Sequence, residues 1–189
     1  MSWTGLKTLS SRQKTGLILI SLGCFILLLT LSLKSYFSFK QNLAFSQTPA
    51  LTTEFDEKAW PVRIIIPRTE TDLPVFPGRV NHDFWEVADE GASYLVGSGF
   101  PGQKGNVVVY GHNYNHLLGP IRWLAEGEEI KLLNQKGEES SYKVQATKVV
   151  SPETVAVLEP TEEAILTLYT CTGFLDRERY VVIAQLQSD

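Results

Sequence analysis

Short β-prone segments separated by glycine and proline dominate the chain after residue 57, and they constrain the fold more than any other feature. Residues 62–66 are the first such segment, and Pro74 and Pro77 predict chain breaks soon after it. No long amphipathic helical period occurs in this part of the chain. The pattern therefore predicts an all-β barrel or sandwich with short helices.

The strongest predicted strands lie in the second half of the chain. Residues 106–111 include three consecutive valines and read as a buried strand. Residues 129–134 and 141–150 flank a Lys-Gly turn signal, so we expect them to form a hairpin. Residues 165–171 and 179–187 are predicted to be the last two strands.

Three chemically active side chains stand at the ends of these strands. Cys171 ends one strand, Arg179 begins the next, and His112 follows residues 106–111. A thiol can attack a carbonyl, an imidazole can transfer its proton, and a guanidinium can stabilise the negative oxygen that forms. The three residues therefore predict a site for acyl transfer through a cysteine nucleophile.

Other interpretations of these residues remain open. Cys24 lies in the apolar N-terminal segment, so Cys171 has no evident disulfide partner, and a buried inert thiol is the alternative. Arg177 lies two residues before Arg179 and could point to the same face of the strand, but it lies in the connecting loop, where we expect it to be solvated. His116 with His112 and Cys171 would need a further ligand to hold a metal, and none is evident. We therefore expect no metal and no cofactor.

An uncharged, mostly apolar run of 18 residues fills positions 16–33. As a helix with a rise of about 1.5 Å per residue it spans roughly 27 Å, close to the thickness of a hydrocarbon core. Lys7, Arg12 and Lys14 precede it, which favours a cytoplasmic N-terminus at residues 1–15. Because no good small-residue cleavage site follows, a single-pass membrane anchor is preferred over a cleaved signal peptide or a buried soluble helix.

Polar residues 34–57 show no persistent apolar period and predict a flexible stem. The folded domain is then expected at residues 58–189, outside the cytoplasm. After residue 53 the chain carries 12 basic and 21 acidic residues, a balance of −9. A phosphate-rich partner requires a basic face, so this balance argues against nucleic-acid binding by the folded domain.

Several motifs occur in a recognisable order. Residues 167–171 read TLYTC and are followed by Arg179, residues 100–112 read FPGQKGNVVVYGH, and Trp85 precedes a Gly-Ala-Ser sequence at 91–93. Together they resemble the TLxTC signature with its downstream arginine, the PGxxGN…GH segment and the opening pattern of the sortases. The resemblance covers residues 58–187.

The resemblance implies a closed eight-stranded β-barrel that acts as a membrane-anchored cysteine transpeptidase. Sortases cleave LPxTG-like sorting signals of surface proteins after the threonine, and transfer the acyl group to an amine acceptor such as a peptidoglycan precursor or a pilin subunit. On matching positions, Cys171 is the nucleophile, His112 the proton-transfer partner, and Arg179 the ligand of the substrate and the oxyanion.

Two further positions are candidates for substrate binding. Thr170 precedes the nucleophile, and it either contacts the substrate or orients the loop. Asn113 adjoins His112 and is predicted to shape the cleft. The short connection from Cys171 to Arg179 has no acidic cluster, so calcium activation is not expected. The N-terminal anchor and compact length resemble class D, E or F sortases more than pilin-building enzymes with a C-terminal anchor.

Two other functions stay open at this point. A non-catalytic tethered β-domain could bind a wall component or a protein partner. A cysteine hydrolase could release the peptide to water, because the same acyl-enzyme partitions between water and an amine.

Overall fold

The computed structural model describes residues 11–40, 43–51, 56–81 and 84–187. The chain divides into two compact units, Met1–Gln41 and Asn42–Asp189. The first unit holds one long helix and the second holds the β-structure. Each unit is therefore described by itself.

The helix of the first unit, α1 (Ser11–Lys40), contains the predicted membrane anchor. Its segment Lys14–Leu33 has a mean hydropathy of 2.6 and is long and apolar enough to cross a membrane. The helix continues beyond the predicted end of the span at residue 33. Residues 1–10 of the predicted cytoplasmic N-terminus lie outside the described part of the chain.

The second unit is a closed eight-stranded barrel, as predicted. The strands are β1 (Pro61–Ile66), β2 (Thr71–Gly78), β3 (Val80–Asn81), β4 (Phe84–Trp85), β5 (Ala92–Leu95), β6 (Gly105–Tyr110), β7 (Glu129–Asn134), β8 (Glu139–Val150), β9 (Ala164–Thr172) and β10 (Glu178–Leu186). Around the barrel they follow the order β1-β2-β5-β6-β9-β10-β8-β7, and β3 pairs with β4 in a separate small sheet. The predicted hairpin is confirmed, since β7 and β8 are antiparallel neighbours.

Short 3-10 helices connect several strands of the barrel. They are Glu57–Ala59, Pro67–Thr69, Gly119–Trp123, Val155–Leu158 and Phe174–Asp176. The fourth of them packs on the outside of the barrel, and the fifth makes the short connection between β9 and β10.

Strand β2 was not predicted, because Pro74 and Pro77 indicated chain breaks. The structure shows how both prolines fit. Residues 71–74 of β2 pair with β1, whereas residues 75–78 pair with β5, so the strand changes partner at the first proline. A strand tolerates a proline where its missing N–H is not needed by the ladder.

Strands β6, β9 and β10 are buried on both faces. Their alternate residues point to opposite sides of the sheet. One set fills the barrel interior: Val107, Val109, Leu166, Leu168, Val182 and Ala184. The other set belongs to a second apolar cluster on the outer face, here called the outer cluster: Leu43, Phe45, Trp85, Leu95, Val108, Tyr110, Val155, Leu158, Tyr169, Cys171 and Val181. The candidate nucleophile therefore lies in the outer cluster.

Residues 43–51 correct the prediction of a flexible stem. Leu43 and Phe45 are 1% and 4% exposed and belong to the outer cluster. The Ser46 amide donates to the Pro152 carbonyl at 2.8 Å. Two alternating apolar side chains give too short a period to be recognised in the sequence, and only their contacts with distant residues order them. The compact unit consequently begins at Asn42, earlier than the predicted boundary at residue 58.

Candidate active site

The strand register brings the three predicted active-site residues together at one end of the barrel. Cys171 and Arg179 are direct partners across antiparallel β9 and β10. Strand β6 runs parallel to β9 with Tyr110 beside Tyr169. His112 lies two residues beyond Tyr110, as Cys171 lies two residues beyond Tyr169. The imidazole, the thiol and the guanidinium are thus carried by three adjacent strand ends.

Thr170 holds this arrangement in place from inside the barrel. Its side chain is fully buried, and its hydroxyl donates to the Gly111 carbonyl at 2.7 Å. The Gly111 amide in turn donates to the Tyr169 carbonyl at 3.3 Å. Thr170 therefore ties the residue before His112 to β9, next to Cys171, which fits the orienting role of the two that were predicted. Its contact with substrate stays a prediction.

The Cys171 thiol is buried and favours its neutral form. Only 4% of the residue is exposed. Burial raises the pKa of the thiol to about 11, because a thiolate loses its hydration there. The positive charge of Arg179 opposes this increase in pKa, and the negative charge of Asp176 adds to it.

The His112 imidazole is half-buried and also favours its neutral form. Burial lowers its pKa, while the carboxylates of Asp89 and Asp176 partly oppose the decrease. Its Nε2 atom lies 3.8 Å from the Asp89 carboxylate, and its ring stacks on Tyr114 with centroids 5.4 Å apart. An imidazole with a pKa below its ordinary value is neutral at pH 7 and can accept a proton.

The raised pKa of Cys171 predicts how the reactivity of its thiol depends on pH. Since the thiolate is the reactive species and the pKa of Cys171 is about 11, the alkylation rate of the free enzyme should rise about tenfold per pH unit between roughly pH 7 and pH 10. Timed labelling with iodoacetamide, quantified at the Cys171 peptide, measures this rate. A plateau below about pH 8 would mean that the thiol is already ionised at neutral pH.

Arg179 is buried and presents its guanidinium to main-chain carbonyls. Nη1 donates to the carbonyls of Asp176 and Glu178 at 2.9 and 3.1 Å. Nε donates to Leu43 O at 3.3 Å, and Nη2 donates to Ala44 O at 2.7 Å. A fork of N–H donors is well suited to bind peptide oxygens or a developing oxyanion.

The loop between β9 and β10 turns the chain sharply enough to keep Cys171 and Arg179 adjacent. Gly173, Leu175 and Asp176 have φ angles of 78°, 59° and 56°. This left-handed backbone aims the Asp176 carbonyl at the Arg179 guanidinium. In the same loop Arg177 is exposed, in contrast to Arg179.

The remaining candidates beside His112 differ in their surroundings. The Asn113 side chain is half-buried, and its Oδ1 atom has no hydrogen-bond partner among the described residues. His116 is exposed and also stacks on Tyr114. Within the described ranges, no three His, Cys, Asp or Glu side chains are grouped as a metal site would require.

Sequence reasoning missed the residues that cover the site. Leu43 and Ala44 lie 136 and 135 positions before Arg179, and no spacing or motif connects them to it. Tyr169 and Phe45 pack edge to face over the outer cluster, with ring centroids 5.1 Å apart. The tyrosine stands in the TLYTC motif at a position where strand alternation places it on the same face as Cys171, and this was the one available signal.

Comparison with known proteins connects this arrangement to one family. A family model of the sortase domain matches residues 64–187. Sortase A of Listeria monocytogenes serovar 1/2a is 27% identical over 151 residues, which cover 75% of this chain and 65% of the relative. Sortase D of Bacillus subtilis strain 168 is 28% identical over 112 residues, which cover 58% of this chain and 52% of the relative. The match thus spans less than two thirds of these relatives.

Solved structures give the same result for the fold. Listeria monocytogenes sortase A superimposes with a TM-score of 0.58 at 29% identity, covering 69% of this chain and 88% of that one. A lid mutant of Corynebacterium diphtheriae sortase A gives a TM-score of 0.59 at 30% identity, covering 68% and 72%. Since the family model also matches more than half of the sequence, the chain belongs to the sortase family.

Proposed function

We propose that this chain is a cysteine transpeptidase that cleaves an LPxTG-like sorting signal and joins the released acyl group to an amine. The observation that carries the proposal is the direct cross-strand pairing of Cys171 with Arg179. His112 follows the neighbouring strand β6 and supplies the third catalytic group. Family membership supports the same reaction class.

In the first half-reaction the Cys171 sulfur attacks the carbonyl carbon of the scissile peptide bond. His112 accepts the thiol proton during the attack. The free enzyme therefore does not need a Cys171 thiolate paired with a His112 imidazolium. The oxygen that becomes negative is stabilised by Arg179 N–H groups. The C–N bond then breaks, His112 returns the proton to the leaving amine, and a thioester joins the acyl part to Cys171.

In the second half-reaction an acceptor amine attacks the thioester carbonyl. The amine loses a proton to His112, and Cys171 leaves as a thiolate that takes the proton back. The product is a new amide bond. Water in place of the amine would give a free acid, which is the hydrolase alternative.

Product analysis tests the proposal against both alternatives. The full chain is incubated with LPxTG-like peptides, with and without triglycine as a candidate amine, and the products are identified by mass spectrometry. We expect an amide of the acyl fragment with triglycine. Free acid alone would favour a hydrolase, and intact peptides without an adduct on Cys171 would favour a non-catalytic binding domain.

The proposed partners rest on membership of the sortase family, and the proposed location rests on helix α1. The substrates are surface proteins with a sorting signal, and the acceptor is an amine such as that of a peptidoglycan precursor. Helix α1 would anchor the enzyme to the cell membrane in a single pass. The basic residues before it favour a catalytic domain outside the cytoplasm.

Arg179→Lys should lower kcat by about 10²–10³-fold, because lysine keeps the charge but loses the fork of donors for the oxyanion. Arg177→Lys is the matched control, since Arg177 is exposed in the same loop. Steady-state kinetics with one cleavable peptide compares the two variants. An Arg179→Lys enzyme as active as the Arg177→Lys control would remove the oxyanion role.

A further inference from the structure

Two side chains from different segments hold the His112 imidazole. Tyr114 stacks on one face of the ring, with the ring centroids 5.4 Å apart and the planes inclined by 22°. The Nε2 edge of the ring faces Asp89, whose carboxylate oxygen Oδ1 lies 3.8 Å away. Nδ1 is therefore the ring nitrogen that the carboxylate leaves unengaged.

The backbone on both sides of Asp89 is held in place, although its side chain is exposed. The Ala88 amide donates to the Ser93 hydroxyl at 2.8 Å, and Ser93 is 1% exposed. Gly91 packs so closely on β2 that a Cβ atom there would lie 2.5 Å from the Pro74 carbonyl oxygen. The connection between β4 and β5 therefore presents Asp89 at a defined place beside His112.

The charge of Asp89 acts on the base of the site rather than on its nucleophile. Among the described residues, Asp89 and Asp176 are the charged groups that bear on His112, and both favour its imidazolium form. The charges that shift the pKa of Cys171 are instead those of Asp176, which raises it, and Arg179, which lowers it. Asp176 thus helps His112 to accept a proton but hinders its release by the thiol, whereas Asp89 only helps.

We propose that Asp89 is a positioning residue, which keeps the Nε2–H group of His112 turned toward its carboxylate and leaves Nδ1 to exchange the proton with Cys171 and the leaving amine. The inference rests on the proposed function, in which His112 is the proton-transfer partner. No motif of the sequence singles out Asp89. Its role follows from its place beside the imidazole.

The contact orders the ring and stabilises the charge that forms on it. In a neutral imidazole, the partner of one nitrogen decides which nitrogen carries the hydrogen, and a carboxylate beside Nε2 favours Nε2–H. When Nδ1 takes the thiol proton, the ring becomes an imidazolium that the ionised Asp89 attracts. The 3.8 Å separation exceeds a hydrogen-bond length, as catalytic contacts often do before the charge develops.

Kinetics of the full chain provide the first test, with Asp89→Asn as the variant and Glu90→Gln as the matched control. Both remove one negative charge from adjacent exposed positions of the same connection. Because exposed ion pairs contribute little, Asp89→Asn should lower kcat only about three- to fivefold, with KM unchanged. Asp89→Glu restores the charge and should recover most of the loss. Equal kcat values for Asp89→Asn and Glu90→Gln would overturn the proposal.

Salt and pH distinguish an effect of charge from a change in loop structure. In about 1 M NaCl the Debye length is roughly 3 Å, so the kcat values of Asp89→Asn and the parent should come within about twofold of each other. Since the charge of Asp89 raises the pKa of His112, its loss should move the acid limb of kcat/KM to lower pH. A deficit that persists in high salt, with an unmoved acid limb, would contradict the proposed role.

Nuclear magnetic resonance of the full chain in detergent micelles gives a test that needs no cleavage. With isotope-labelled histidine the three imidazoles titrate separately, and the spectrum of His112→Ala identifies the signals of His112. We expect a lower His112 pKa in Asp89→Asn than in Glu90→Gln, and the Nε2–H tautomer in the neutral ring of the parent. Equal pKa values in the two variants, or an Nδ1–H tautomer in the parent, would exclude the positioning role.

The two kinds of measurement separate this inference from the proposed function. If no peptide is cleaved but the His112 pKa responds to Asp89→Asn alone, the proposed function fails and the contact between Asp89 and His112 stands. If peptides are cleaved but neither kcat nor the His112 pKa distinguishes Asp89→Asn from Glu90→Gln, the positioning role fails alone.

Discussion

Replacing Cys171 by alanine is expected to lower peptide cleavage by a factor on the order of 10⁴ or more, down to the uncatalysed background. In the proposed mechanism the thiol forms the covalent acyl intermediate, while His112 and Arg179 supply proton transfer and positive charge. Without the sulfur there is no nucleophile for His112 and Arg179 to assist, so the scissile peptide bond is not attacked. A discontinuous peptide assay with product detection by mass spectrometry measures the loss.

Two controls separate lost chemistry from lost structure. Cys24→Ala removes the other cysteine of the chain, which lies in α1, and should leave the cleavage rate unchanged. Cys171→Ser keeps the size and burial of the side chain but replaces the thiol by a weaker nucleophile, so it should be as folded as the parent and nearly inactive. Substantial cleavage by Cys171→Ala would exclude a cysteine mechanism.

Replacing His112 by alanine should lower kcat by about 10²–10⁴-fold, the usual contribution of a positioned acid–base group. Because the pKa of Cys171 is about 11, the thiol depends on a nearby base to lose its proton during attack. The variant should therefore recover part of its rate at higher pH or with added imidazole. Steady-state rates from pH 6 to pH 10 provide the measurement, a range chosen to cover roughly the ordinary pKa values of histidine and cysteine.

His116→Ala is the matched control for this change. His116 is exposed and stacks on Tyr114, as His112 does. Its replacement removes an imidazole from the same loop and leaves His112 and Cys171 unaltered. Its rate should stay close to that of the parent. Similar losses in both histidine variants would indicate damage to the loop, and an active His112→Ala enzyme would contradict the assigned role.

The sequence was sufficient for the parts of the fold that depend on local patterns. Uninterrupted valine runs such as that in β6 predicted a buried strand, and the turn between β7 and β8 predicted their hairpin. The closed barrel itself came from resemblance to sortases, because strand alternation alone leaves a barrel and a sandwich equally possible. Cys171, His112 and Arg179 were predicted as the catalytic set because each stands at the end of a recognisable strand, and the strand pairing places those ends side by side.

Other features depend on distant contacts that no local pattern reveals. Strand β2 keeps two prolines because it exchanges one neighbour for another along its length. Strand alternation turns Thr170 inward, but only the pairing of β9 with β6 shows that its hydroxyl reaches Gly111. Residues 43–46 are held by Arg179, which lies 136 positions after Leu43, and by the outer cluster. Such positions become visible only when the strands are paired.

The most direct test of the account is the mass of the full chain during turnover. Intact-protein mass spectrometry with an LPxTG-like peptide should show one added acyl fragment, which peptide mapping locates on Cys171 and which disappears when triglycine is added. Cleavage of the peptide without an adduct on Cys171, or an adduct on another residue, would contradict the account.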